Sequence, residues 1–149
     1  MQFGTVGRAV VMTAVASSFV GLAHAAQLRV PGDFSTIQAA INAAANNGDT
    51  ILVDPGTYAE AINYGSKNII IRSTSGAAVT TIDGFGLDSS VVTMPGGQNS
   101  NSALVGFTIT GGTGTLVDGE FVGGGAYLAA PGSVTIRDCV FIANEADLG

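Results

Sequence analysis

The chain has 149 residues, of which 22 are glycine and only 11% are charged, and its formal net charge is −6. Glycine stands near twice its usual share of about 7%, and charge at under half the usual quarter or so. Aliphatic residues stay plentiful, which excludes a disordered polyelectrolyte, and the absence of a basic run argues against nucleic acid and anionic lipid as partners.

The first segment reads as a secretory signal. Arg8 is the lone cation of residues 1–8, Ala9–Leu22 is apolar except for Thr13, Ser17 and Ser18, and Ala23-His24-Ala25 is a small-x-small site. Cleavage is expected between Ala25 and Ala26, giving a signal peptide over 1–25 and one domain over 26–149. The apolar run of fourteen residues is shorter than the 18 or so that spanning requires, and no second run of that length follows. Cleavage leaves Arg29, Lys67, Arg72 and Arg137 against eleven carboxylates, a net charge near −7. It also removes His24, the only histidine, so a Ser-His or Cys-His nucleophile is excluded from the mature chain. Cys139 is the only cysteine, which leaves no intrachain disulfide or thiolate metal site.

Gln27–Pro31 reads as a short strand before Pro31-Gly32. Ser35-x-x-Gln38 forms a capping-box pattern, and Ile37, Ala40, Ile41 and Ala44 fall at helical spacing. A helix over 36–46 is therefore expected, stopped by Asn46-Asn47-Gly48. It is the only helix expected. Strands follow at Thr50–Val53, Thr57–Ile62, Asn68–Ser73, Val79–Ile82 and Val91–Met94. They are divided by Asp54-Pro55-Gly56, Gly76, Asp83-Gly84 and Pro95-Gly96-Gly97. A spacing of about ten residues leaves no room for crossover helices, so the strands must wind as coils.

The last quarter carries a repeat. Leu104-x-x-Phe107-x-Ile109 and Ile136-x-x-Cys139-x-Phe141 share one spacing, thirty-two residues apart. A period of this length built from short strands and glycine turns reads as a solenoid. Stacked coils would place Leu104 below Ile136, Phe107 below Cys139 and Ile109 below Phe141. Cys139 is thus expected to be a small hydrophobe rather than a reactive thiol. Glycines 106, 111, 112 and 123–125 are expected at turns needing positive φ, and Asn144 at a turn where its amide bonds backbone or joins an asparagine ladder.

Residues 31–62 (PGDFSTIQAAINAAANNGDTILVDPGTYAEAI) resemble the opening of right-handed parallel β-helix proteins of the pectin-lyase-like superfamily, pectin methylesterases included. Gly124-Gly125-Ala126-Tyr127 with Phe141-Ile142-Ala143-Asn144 resembles the GGA-[apolar] and F-x-x-N repeats of chlamydial polymorphic outer-membrane proteins. GFTITGG is similarly common in bacterial surface β-helix repeats. The resemblance covers nearly all of residues 27–149. It implies an all-β, right-handed parallel β-helix with one N-terminal capping helix, and it leaves the activity open.

Chemistry must then rest on carboxylates, cations and hydroxyls. Asp118, Glu120, Asp138 and Glu145 are the carboxylates outside obvious turns. Asp118 and Glu120 fall in an excursion, Thr113–Val122, where a lateral loop could project. Paired carboxylates could run glycoside hydrolysis, but solvated loop acids are the plainer reading. The resemblance makes Arg137-Asp138 the most enzyme-like dipeptide, since lyases of the superfamily use an arginine base and calcium-binding aspartates, but a surface ion pair at a bend is the plainer reading. The glutamine-rich segment and catalytic aspartates of an esterase are missing. Thr108-x-Thr110 alone is too short a row for ice binding, and Arg137 and Val140–Ile142 break it. Asp54-Pro55-Gly56 and Asp83-Gly84 read as turns rather than calcium loops.

These readings converge on a secreted or cell-surface scaffold, adhesin-like, that binds carbohydrate or another cell-surface component. No catalytic, cofactor or metal site of its own is expected. The alternative is the N-terminal part of a polysaccharide lyase, glycoside hydrolase or pectin esterase-like enzyme with catalytic coils beyond residue 149. Either way the C-terminal end is expected to need further coils or a partner to cover it.

Overall fold

The computed structural model describes residues 25–46, 48–129 and 132–147. The expected signal peptide lies outside the described residues, apart from Ala25. In chain order the elements are β1 (Gln27–Val30), α1 (Ile37–Ala43), β2 (Thr50–Val53), β3 (Gly56–Tyr58), β4 (Ile62–Asn63), β5 (Ile70–Ser73), β6 (Thr80–Asp83) and β7 (Val92–Met94). They continue with β8 (Ser102–Val105), β9 (Thr108–Thr110), β10 (Thr115–Val117), β11 (Glu120–Val122), β12 (Ala126–Leu128), β13 (Val134–Arg137) and β14 (Val140–Phe141).

Apart from β10 and β11, which pair with each other as an antiparallel hairpin, the strands form three parallel sheets. The first sheet orders as β1-β2-β5-β8-β13, the second as β14-β9-β6-β3 and the third as β12-β7-β4. From β2 onward the chain passes first sheet, second sheet, third sheet, and then repeats the circuit. This all-β, parallel arrangement is compatible with a β-helix.

Alternation explains which side chains the strands hide. Ile51 and Val53, Ile71 and Ser73, Thr80 and Ile82, and Val92 and Met94 point inward and are buried. Successive strands align their inward residues. Ile51 pairs with Ile71, Ile71 with Leu104 and Leu104 with Ile136, while Tyr58, Ile82, Ile109 and Phe141 form the matching column of the second sheet. The constant offset of 32 across both late pairings sets Cys139 over Phe107 as the repeat predicts. Cys139 packs against the core, its thiol facing the Leu104 and Arg137 carbonyls at 3.8 and 3.3 Å. Each fully buried Ile, Leu or Phe contributes about 1.5–3 kcal/mol, so the columns are the main source of stability.

One long strand of the sequence reading turns out to be bent. Residues 57–62 divide into β3 and β4 around Ala59–Ala61. Gly106, at φ +80°, makes the corner between β8 and β9. A run of apolar residues cannot reveal a corner, because both arms keep their inward side chains. Asp138 takes the place of Gly106 one repeat later, at φ +55°, a conformation aspartate tolerates better than most residues.

The helix is shorter than expected and capped differently. Thr36, not Ser35, is the N-cap, and its hydroxyl accepts from Ala39 N at 3.1 Å. Gln38 does not reach back. Its amide instead bonds the backbone of Asn63 in both directions, at 3.2 and 2.7 Å. The free N–H groups of Ile37 and Gln38 go to the two carboxylate oxygens of Glu60, both at 2.9 Å. At the other end, Lys67 Nζ donates to the carbonyls of Ile41, Asn42 and Ala44 at 2.7, 2.8 and 2.6 Å. An anion at the helix start and a cation at its end both complement the macrodipole. Ile37, Ala40 and Ile41 face inward, and α1 touches β1, β2 and β4.

Glycine use also divides. Gly106, Gly111 and Gly123 have positive φ, as expected. Gly112, Gly124 and Gly125 do not. At Gly112 an added Cβ would stand 2.0 Å from the Gly124 carbonyl oxygen, and at Gly124 it would stand 2.2 Å from that of Glu145. Gly112 needs glycine because the backbone closes on itself across the neck of the β10–β11 hairpin, and Gly124 because the backbone of the next repeat meets it at Glu145.

Asn144 behaves as expected, receiving Gly112 N at 3.0 Å and donating to Ile109 O at 2.9 Å. The asparagine ladder lies elsewhere, ahead of the first-sheet strands. Asn68 N and its side-chain amide both donate to Asn46 Oδ1, and Asn68 Oδ1 in turn accepts from Asn99 N at 2.7 Å.

Candidate functional site

A concavity flanks the end of the second sheet. Asp83 and Thr110 are register partners on β6 and β9. Beyond them the chain turns at Gly84 and Gly111, and the next repeat adds Ala143 and Glu145. These residues, with Phe85, Gly112 and Thr113, line a cleft of about 380 Å3.

The local sequence explains the shape. Asp83 ends a strand, and its Oδ1 accepts from Phe85 N at 2.9 Å, an Asx turn that throws the Phe85 ring outward. Phe85 is 84% exposed, the most exposed large apolar side chain described. Gly111, at φ +76°, has room for no side chain, since a Cβ would lie 2.6 Å from both Asp83 Oδ1 and Phe85 N. Glu145 is held by its own backbone, its N–H donating to Gly112 O at 2.8 Å. The cleft therefore offers two carboxylates, two threonines and a bare aromatic face. That set can accept hydrogen bonds from hydroxyl groups and stack an apolar ring face.

The remaining sequence candidates scatter. Asp118 sits at the tip of the β10–β11 hairpin with φ +52°, and Glu120 is exposed on β11. The expected lateral loop is thus a hairpin, braced by Phe121 N donating to Asp147 at 3.3 Å. Arg137 and Asp138 form an exposed ion pair at 3.4 Å. Of the four carboxylates singled out, only Glu145 reaches the cleft, where its companion is Asp83, which sequence alone reads as turn chemistry. Asp54 accepts the Thr74 hydroxyl at 3.0 Å, a contact with the next circuit and not with its own turn.

Thr108 belongs to a longer row than its repeat suggests. Thr57, Thr81, Thr108 and Val140 are successive register partners, although the Thr108 hydroxyl is spent on Ala77 O at 2.9 Å. Among the described residues no three His, Cys, Asp or Glu side chains come together to hold a metal ion, and no helix is long and apolar enough to cross a membrane.

Tyr64 is the one buried titratable group with a marked perturbation. Its side chain is fully enclosed and its hydroxyl donates to Ala103 O at 2.9 Å. Burial, and secondarily Cys139, push the phenol well above its ordinary range. It lies in the core and not in the cleft.

The first sheet carries a second feature on its outer side. Arg29, Leu52, Arg72, Val105 and Arg137 are consecutive register partners across all five strands. The three arginines are exposed while their neighbours in sequence turn inward. Arg72 and Arg137 border a groove of about 540 Å3 floored by Ile70, Ala103 and Val105. The sequence shows no basic cluster, but the register makes one. No family model matches the chain, and neither a curated protein nor a solved structure matches it.

Proposed function

We propose that the chain winds as a closed, right-handed parallel β-helix with α1 covering its first coil, and that it serves as a secreted or cell-surface scaffold binding carbohydrate in the cleft beside Phe85. The cyclic passage through three parallel sheets supports the coil. The packing of α1 on β1 and β4, which are edge strands, supports the cap. The signal-like residues 1–25 support export. Resemblance to the pectin-lyase-like and polymorphic outer-membrane repeats supports the same architecture.

The observation that carries the binding reading is Phe85, 84% exposed at the rim of a cleft that also holds Asp83 and Glu145. An apolar ring left in water costs solvation free energy unless something covers it. Sugar rings combine an apolar C–H face with hydroxyl donors, which suits an aromatic plate between two carboxylates. The test is calorimetric titration of the chain with xylo-, manno- and cello-hexaose. Binding of at least one is expected, weakened about tenfold or more by Phe85→Ala, on the scale of an aromatic contact of roughly 1.4 kcal/mol. Equal binding by Phe85→Ala and the parent chain would refute the assignment.

The enzyme alternative draws on Asp83 and Glu145 lining one cleft, since glycoside hydrolysis runs on paired carboxylates. Release of reducing ends from the same oligosaccharides, abolished by Glu145→Gln, would favour it over simple binding.

A further inference from the structure

Charge on this molecule is sorted by surface. Lys67 is spent on the helix carbonyls, and the other three cations of the described residues are the arginines of the first-sheet column. Neighbouring arginines stand two strand spacings apart, about 9.6 Å. Six of the eleven carboxylates collect elsewhere, on segments that lead from the second sheet toward the third. Asp83 and Asp88 lie at and after the end of β6, Asp118 and Glu120 on the hairpin, and Glu145 and Asp147 after β14. The acids nearer the first sheet are tied locally. Asp33 accepts from Arg29 N, Asp54 from the Thr74 hydroxyl and Asp138 pairs with Arg137. Among the described residues Arg137–Asp138 is the only ion pair, so the arginine column and the six-carboxylate flank do not neutralise each other within one molecule.

The geometry points to side-by-side self-association, in which the arginine column of one copy docks on the acidic flank of a second copy. The occupant follows from charge complementarity: the flank is the acidic surface this chain itself supplies, while a chain of net charge −6 repels other polyanions over most of its surface. The two surfaces differ, so the contact is heterologous and can repeat from copy to copy rather than close as a dimer. In a closed coil the flank faces away from the first sheet, so both surfaces of one copy can be engaged at once; that geometry rests on the coil proposed above.

Sedimentation velocity of the chain tests this, in dilute and concentrated salt. The screening length is about 30 Å at 0.01 M and about 3 Å at 1 M, so association is expected at the lower salt and lost at the higher. Arg72→Glu with Arg137→Glu should stay monomeric, because two acidic surfaces then meet. Asp83→Lys with Glu145→Lys should associate more weakly, because two lysines against the four remaining carboxylates cut the charge of the flank from −6 to −2. An equimolar mixture of the two variants should associate again. Arg72→Gln with Arg137→Gln gives a neutral check in which association is reduced without reversal. Circular dichroism of each variant reports the fold independently, so loss of the β signal would count against the coil and not against the docking. A parent chain monomeric at low salt overturns the inference. So does a mixture that fails to associate although both variants keep their β signal. Association that strengthens with salt overturns it too, since that is the response of apolar contacts such as the exposed Val140, Phe141 and Ile142 would make.

Discussion

Replacing Lys67 by methionine tests whether α1 is held by charge or by packing alone. The ammonium donates to three carbonyls, of Ile41, Asn42 and Ala44, and the last carbonyls of a helix have no intrahelical partner. Methionine keeps most of the apolar stem and removes every donor. A hydrogen bond to a charged group contributes about 1.5–3 kcal/mol, and a cation at a helix C-terminus about 0.3–1 kcal/mol. The three bonds share one half-exposed ammonium, so they do not sum. A loss of about 2 kcal/mol is expected, or roughly 6–10 °C in Tm for a domain of this size. Thermal unfolding followed at 218 nm or so measures it, in parallel with Glu60→Gln and the double variant. Both groups pin one helix, so the double variant should lose less than the sum of the two single losses. A Lys67→Met variant melting within about 1 °C of the parent would show that the inward Ile37, Ala40 and Ile41 suffice, and the clamp argument would fall.

Ala143 has φ +52° where its register counterpart Gly111 has +76°, so Ala143→Gly should stabilise by about 0.5–1 kcal/mol as left-handed strain is relieved; urea unfolding with an unchanged m-value checks this. Gly112→Ala should cost at least about 3 kcal/mol, at the severe end for one substitution, because its Cβ meets the Gly124 carbonyl at 2.0 Å; a soluble variant with parent-like Tm would refute it. Burial raises the Tyr64 pKa above its unfolded value near 10. The folded chain therefore keeps a proton that the unfolded chain loses, and stability should fall above about pH 10, by up to roughly 1.4 kcal/mol per pH unit. Tyr64→Phe should flatten that alkaline slope, measured as urea midpoint against pH. Asn68→Ala removes the middle rung between Asn46 and Asn99 and should cost about 1–2 kcal/mol, read as a lower Tm.

The inward columns were legible because alternation and a thirty-two-residue repeat leave their mark on the chain itself. Leu104 and Ile136 align from their spacing alone. Corners such as Ala59–Ala61 were not legible, since an apolar residue is inward on both arms. Glu60 and Lys67 carry no local signal of capping, because their partners lie 22 to 26 residues away. The Ser35 capping box was a local pattern that lost to Thr36 and this distant pair. Phe85 does carry a local signal: a large aromatic between Gly84 and Gly86 has no neighbouring side chains to hide behind. The arginine column was hidden for a different reason. Arg29, Arg72 and Arg137 are far apart in sequence and meet only when the strand register is known.

The distant caps of α1 also set an order of events. Seven residues are too few for a helix to persist in water, and this one lacks its anion until residue 60 and its cation until residue 67 have been synthesised. A ribosome delivering the chain from its N-terminus therefore releases residues 37–43 well before they can settle. The helix is therefore expected to settle together with the first circuit of strands, which gives the later repeats a finished edge on which to add.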